Sequence, residues 1–315
     1  MKGLITKSTG SWYAIRSEDH SLFMGRIVGK IKLLDRKFTN PIAVGDYVEF
    51  EIEDVKEKTA IISSIMPRQN YVVRQSPRKK HQLHVLASNI DQAFVIVTVV
   101  EPDLKQGFID RFLLMTEPFN IPVTILFNKK DLYSEENIAT FNTMKEMYSN
   151  IGYDVCLVSA THGDGIEALK VKLKDKTTLI SGQSGVGKSS LINVIDSSIT
   201  LETGVISDFS GKGQHTTTFA EMFFLESGGA IIDTPGIKTL GFSHLSIEDI
   251  SHNFREIFDA SSDCKFHNCT HRNEPKCAVK NAVENGQIAF LRYQNYLNLL
   301  QEVEDQNYWE LHNNI

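Results

Sequence analysis

The segment Gly182-Gln183-Ser184-Gly185-Val186-Gly187-Lys188-Ser189 constrains the fold more than any other stretch of this chain. It fits G-x-x-x-x-G-K-[ST], and its flanks supply the setting that the pattern needs. Thr178-Leu179-Ile180 before it reads as a strand, and Ser190-Leu191-Ile192-Asn193-Val194-Ile195 after it has helix-compatible periodicity. Strand, glycine loop and helix in that order turn backbone N–H groups around a polyphosphate at a helix N-terminus, where the dipole favours negative charge. Lys188 is placed to reach the β- and γ-phosphates, and the Ser189 hydroxyl to ligate Mg²⁺. Without those flanks the segment would be only a Gly/Ser-rich turn that carries a lysine.

From residue 90 onward strands and helices alternate. Residues 93–99, 122–127 and 154–158 read as strands, and 108–116, 134–149 and 166–173 as helices. The loop strand and its helix follow, then strands at 219–225 and 230–232. This alternation predicts an α/β domain with a mostly parallel sheet covered on both faces.

Further short motifs fall at strand ends. Asp233-Thr234-Pro235-Gly236 follows Ala230-Ile231-Ile232, so Asp233 can hold Mg²⁺ through water while the Gly236 N–H faces a γ-phosphate. Asn128-Lys129-Lys130-Asp131 ends the strand at 122–127. Asp131 is placed to accept the N1–H and N2–H₂ of guanine together, a pair that adenine does not offer, with the Lys129 stem over the base plane. Ser159-Ala160 ends the strand at 154–158, where a backbone N–H can meet guanine O6. Gly213-Gln214-His215-Thr216-Thr217-Thr218 supplies switch-loop threonines, and either Thr216 or Thr217 could bind Mg²⁺. Together these motifs select GTP. Their order is unusual: the guanine motifs precede the phosphate loop, and Asp-Thr-Pro-Gly comes last. The chain therefore reads as a circularly permuted GTPase with its new ends beside the second switch, so that whatever follows Gly236 is pulled by a segment responsive to the γ-phosphate.

Residues 1–70 read as five short strands, at 3–7, 11–16, 22–28, 46–52 and 60–66, separated by turn signals. A small closed barrel is expected, OB-like or SH3-like, serving nucleic acid or protein docking. Residues 71–89 read as a basic linker in which Arg74, Arg78, Lys79 and Lys80 either track a phosphate backbone or form a solvated loop. Charge supports that split. Residues 1–88 carry fifteen Lys/Arg against nine Asp/Glu, although the whole chain of 315 residues has a net charge of −6. A local polyanion-binding surface fits this better than general nucleic-acid affinity. The longest apolar stretch, 93–100, is far too short to span a bilayer, and the first residues lack the apolar core of a signal peptide. A cytoplasmic monomer with no membrane partner is the expectation.

Residues 243–315 follow the GTPase segment of 90–242, with helices expected at 247–257 and at 279–304, the latter broken at Gly286. Three of the four cysteines fall here, in the spacing Cys264-x4-Cys269-x-His271-x5-Cys277. Such clustering favours a closed tetrahedral structural Zn²⁺ site over disulfides, with His267 as the competing imidazole. Cys156 lies in an apolar strand pattern and reads as a small buried hydrophobe.

Barrel, permuted GTPase and Cys3His module in this order resemble the ribosome small-subunit-dependent GTPase family, RsgA or YjeQ. The resemblance spans essentially the whole chain and rests most specifically on Gly182 to Ser190, Gly213 to Thr218 and Asp233 to Gly236. It implies a cytoplasmic bacterial GTPase that binds rRNA, acts late in small-subunit maturation and couples hydrolysis to its release. It also implies nucleotide binding by Gly182 to Ser190 and Asn128 to Asp131, and zinc ligation by Cys264, Cys269, His271 and Cys277. One departure concerns water activation. Ile237 follows Asp-Thr-Pro-Gly where many GTPases carry a water-orienting glutamine, and Gly185 replaces the asparagine of potassium-activated relatives. His215 is the candidate substitute, with Lys188 and Thr217 (or Thr216) completing the catalytic set. A non-catalytic GTP-responsive RNA-binding module is the alternative that the missing glutamine suggests; a small-molecule kinase is disfavoured by Asp131.

Overall fold

The structure, a computed structural model, describes residues 1–28, 38–75, 82–202, 220–234, 242 and 244–312, with side chains to residue 305. His215, Thr216, Thr217, Gly236, Ile237, Arg78, Lys79 and Lys80 lie outside the described residues.

Five strands open the chain: β1 (Lys2–Ser8), β2 (Tyr13–Ser17), β3 (Leu22–Ile27), β4 (Tyr47–Asp54) and β5 (Thr59–Ile65). β1 pairs antiparallel with both β2 and β4, β2 with β3, and β4 with β5. A parallel β3–β5 pair closes the ring. This is the five-stranded closed barrel of the OB type. Ile5, Tyr13, Ile15, Ile42, Val48, Phe50, Ala60 and Ile62 fill it as a core of its own.

The stretch expected as a linker carries β6 (Tyr71–Gln75) and β7 (Leu83–Ser88), paired as an antiparallel ribbon. Val72 and the run Val85-Leu86-Ala87 are buried, which no solvated linker would allow. Asn40 caps the ribbon by exchanging hydrogen bonds with Val85, donating to its carbonyl and accepting from its N–H.

The second sheet contains β8 (Gln92–Val97), β9 (Val123–Phe127), β10 (Asp154–Leu157), β11 (Thr177–Gly182), β12 (Glu221–Phe224) and β13 (Ala230–Asp233). The spatial order is β10-β9-β8-β11-β13-β12, parallel except for β12. β8 is buried on both faces, as its continuous apolar run requires. Ala93, Val95 and Val97 face one core, while Phe94 and Ile96 face the other. On the first side lie α1 (Gln106–Thr116) and α2 (Glu135–Asn150), the latter opened by a Ser134–Asn137 capping box. On the second lie α3 (Ile166–Leu173) and α4 (Lys188–Ile195). β12 also pairs with β1 at Lys7 and Glu221, so sheet and barrel are continuous.

The C-terminal helices are α5 (Ile247–His252), α6 (Arg255–Ser261), α7 (Ala278–Glu284) and α8 (Phe290–His312). A single helix over 247–257 is expected from the sequence, but it breaks at Asn253. The Asn253 N–H closes α5 on the Asp249 and Ile250 carbonyls, and Phe254 turns extended and buries its ring against Tyr296. Ile250, Phe254, Ile257, Tyr296, Leu299, Leu300 and Val303 belong to the same apolar core as Phe108, Phe112 and Phe141. The module and one face of the sheet thus share one interior.

Candidate nucleotide and metal sites

The strand-end motifs among the described residues gather along the carboxyl edge of the parallel strands, where ligands of open α/β sheets bind. Gly182 ends β11 beside Ile96 of β8, and Asp233 ends β13 beside Ile180 of β11. β9 runs out into Asn128, and β10 is followed by the buried Ser159. Permutation of the chain leaves this spatial set intact, because strand neighbours and not chain order place each loop.

The glycine loop turns through Gly185 and Gly187, both with positive φ. A Cβ at Gly187 would stand 2.5 Å from Asn128 Nδ2, so only glycine lets the two loops approach this closely. Asn128 is 1% exposed and ties three motifs together. Its amide donates to the Val186 carbonyl at 2.9 Å, and its Oδ1 accepts the Ala160 N–H at 3.2 Å. The Ala160 N–H, one of the backbone donors of the Ser159-Ala160 motif, thus points at Asn128. Asp131 accepts the Ser159 hydroxyl at 2.5 Å, which orients the carboxylate, and the His162 N–H steadies Ser159 from behind. Lys130 pairs with Asp164 at 2.9 Å, in the loop that follows Ser159. Lys129 donates to the Glu101 carbonyl in the β8–α1 loop, a partner that no motif announces.

Lys188, at the start of α4, is ion-paired with the buried Asp233. The pair brings together the lysine expected on the phosphates and the carboxylate expected beside Mg²⁺. Ser189 in the first helical turn and Asp233 offer a hydroxyl and a carboxylate, the hard oxygen donors that suit Mg²⁺. Gln183, Ser184, Gly185, Ser189 and Ser190 stay at least partly open along the loop.

The second site is metal-binding in character. One ligand atom each from Cys264, Cys269, His271 and Cys277 lies within 4.8 Å of all the others. Cys264 Sγ is 3.6 Å from His271 Nδ1 and 3.9 Å from Cys277 Sγ, while Cys277 Sγ is 3.5 Å from His271 Nδ1. Ligands about 2.3 Å from a tetrahedral zinc are separated by about 3.8 Å, so this donor set fits Zn²⁺. His267 is outside the cluster and lines a cleft beside it. Burial, reinforced by the neighbouring thiols, pushes Cys269 up to about 12 and raises Cys277, while burial lowers His271. A bound dication reverses the thiol shifts, because it favours the thiolates that burial alone opposes. Around the cluster, Glu274 accepts from Thr270 and Arg272, and these bonds outweigh burial to hold it down to about 2. Cys156 is half-buried against the second core, with its thiol raised by burial.

Family comparison agrees with this geometry. Residues 65–243 match the RsgA GTPase family and residues 2–62 the RsgA N-terminal domain. The chain belongs to the RsgA GTPase family. Similar relatives of that family include small ribosomal subunit biogenesis GTPases RsgA from Phocaeicola vulgatus and Christiangramia forsetii. The first is 47% identical over 98% of this chain and 99% of its own, the second 46% over 97% of each. Among solved structures, YjeQ from Thermotoga maritima superposes with a TM-score of 0.76 at 32% identity, covering 96% of this chain and 98% of that one. YloQ, a circularly permuted GTPase, gives 0.71 at 31% identity, with 97% and 95% covered.

Proposed function

We propose that this protein hydrolyses GTP as a maturation factor of the small ribosomal subunit, with the barrel and the basic 71–89 stretch meeting rRNA. The convergence of Asp131, Asn128, Lys188 and Asp233 at one sheet edge carries the reading. The glycine-loop N–H groups and Lys188 bind the phosphates, Asp131 selects guanine, and the Lys129 stem covers the base. Ser189 and, through water, Asp233 would hold Mg²⁺, which neutralises charge on the β- and γ-phosphates. Water positioning is assigned to His215 of the first switch and the switch Mg²⁺ contact to Thr217 or Thr216, with Gly236 on the γ-phosphate. Cys264, Cys269, His271 and Cys277 would hold one structural Zn²⁺. The names of the relatives support the ribosomal partner. No helix among the described residues is long and apolar enough to cross a membrane.

The test is GTP binding and turnover, with and without purified small subunits, in wild type, Asp131→Asn and His215→Ala. Asp131→Asn replaces an acceptor by a donor facing guanine N2–H₂, and loss of one charged hydrogen bond is worth about 1.5–3 kcal/mol, so GTP affinity should fall about tenfold or more. His215→Ala should keep affinity and lose most subunit-stimulated turnover. Wild-type affinity in Asp131→Asn removes Asp131 from the base site; unchanged stimulation in His215→Ala moves the catalytic group elsewhere. Absence of stimulated turnover in wild type favours the non-catalytic module.

A further inference from the structure

A buried polar cluster joins α8 to α1 on the side of the sheet opposite α4. Arg292 is 2% exposed and bridges two acids. Its Nη1 donates to Asp110 Oδ1 at 2.6 Å, and its Nε and Nη2 donate to Glu256 at 2.6 and 3.0 Å. Asp110 also accepts from Tyr148 at 2.7 Å, Gln106 at 2.8 Å and Asn295 at 2.7 Å. The four donors fill the acceptor capacity of one carboxylate. Asn295 further donates to the Gln106 carbonyl oxygen, and the Arg292 guanidinium lies 4.4 Å from the Phe254 ring centroid. Burial opposes the Arg292 charge, but Asp110 and Glu256 outweigh it and keep the guanidinium ionised.

Buried ion pairs are weak sources of stability compared with well-packed apolar side chains, and their best-attested role is to fix one arrangement against others. What is fixed here is α1. Gln106 is its first residue, and the loop leading into it runs directly from the base-side edge of β8. That loop is pinned by the guanine motif and the turn after it: Lys129 donates to the Glu101 carbonyl, and the Tyr133 hydroxyl accepts the Val99 N–H at 2.9 Å. Only a short stretch of chain, from Glu101 to Gln106, therefore separates the partner of Lys129 from a helix residue held by α8.

We infer that Arg292 and Asn295 are positioning residues for the guanine site, acting through Asp110 and Gln106 to set α1 and the 98–105 loop behind Lys129. Nucleotide affinity and the seating of the C-terminal module are then linked, and the linkage is reciprocal: bound nucleotide holds α8 more firmly. The inference rests on the base lying over Lys129 beside Asp131.

The experiment uses full-length protein, a fluorescent GDP analogue and amide hydrogen exchange, well below the unfolding temperature. Arg292→Met should raise the GDP Kd at least about fivefold, the lower end of the usual coupling between sites, with zinc content and circular dichroism unchanged. Exchange should quicken at 98–105. In wild type, saturating GDP should slow exchange along α8; in Arg292→Met it should not. A purely structural role lowers thermal stability without moving the α8 response to GDP. Should Arg292→Met fail to fold, Asn295→Ala removes one donor from Gln106 and Asp110 and should show the same changes, smaller. Wild-type Kd in the folded variants, or α8 exchange indifferent to GDP in wild type, overturns the inference. Wild-type GDP affinity in Asp131→Asn instead overturns the base-site reading and leaves the exchange result to decide this one.

Discussion

The barrel and the C-terminal module are joined to the same sheet by different physics. The barrel keeps its own core and meets the sheet along a strand edge, where β1 pairs with β12 at a single residue pair and Lys7 bridges to Glu221 at 2.8 Å with both side chains about a third or more exposed. Further ties run to the ribbon: the Asp46 carboxylate holds Arg68 and accepts the Ser88 hydroxyl, and Asn40 exchanges hydrogen bonds with Val85. Among the described residues the module has no separate core: Phe254, Tyr296 and Leu300 pack in one interior with Phe108 and Phe112, and the Arg292 cluster is sealed inside. Two peripheral bridges, Arg111 to Glu302 and Arg255 to Glu117, flank it. A backbone ladder lets two bodies hinge, whereas a shared core moves as one. The module is thereby packed into the same interior as the sheet, and the barrel is attached along the edge strand β12.

Removing zinc should break the module side most. Metal binding in small zinc sites is worth about 10–16 kcal/mol of folding energy, so Cys269→Ser should lose stoichiometric metal and unfold the module. A domain with a private core would keep GTP affinity in that mutant. With the shared interior, elemental analysis, melting curves and nucleotide titration should show zinc, melting temperature and GTP affinity falling together. Unchanged GTP affinity with zinc lost would show that the two interiors are separable.

Asp46→Asn probes the barrel side. Arg68 and Asp46 are 6% and 0% exposed, and leaving one member of a buried pair without its countercharge costs about 3–5 kcal/mol. Denaturant unfolding should then separate an early barrel transition from the rest, with GTP Kd within about twofold of wild type. A large change in GTP affinity would merge the barrel with the GTPase body and erase the contrast.

The smallest effect is expected at the edge itself. Lys7→Gln and Glu221→Gln, alone or together, should each change stability by no more than about 1 kcal/mol, since exposed pairs contribute little. A double-mutant coupling well above that, measured by denaturant melts, would make the strand edge a rigid joint.

Much of the nucleotide site is legible in the sequence, because its groups are main-chain N–H donors and side chains fixed by short spacings at strand ends. The zinc ligands are legible for the same reason, lying close together along the chain, and the cluster takes His271 over His267. The ribbon of β6 and β7 is not, because the basic residues of that stretch outweigh a weak alternation in the sequence, and a two-stranded ribbon depends on partners such as Asn40, distant in sequence. The break at Asn253 is hidden because the apolar periodicity continues through it; the Phe254–Tyr296 packing that turns the chain is a tertiary contact.

The sequence by itself determined the local features: a glycine loop of the phosphate-binding pattern, an Asn-Lys-Lys-Asp turn at a strand end, a four-donor metal cluster, and a strand count that closes a barrel. Those are local properties, set by residue type and by periods of two or 3.6. Only the tertiary structure decided how the bodies are joined. Arg292 and Asp110 stand 182 residues apart, and neither carries a local signature. Long-range pairing is chosen by the whole packed interior, where one carboxylate accepts four donors because burial leaves it no water to bind instead.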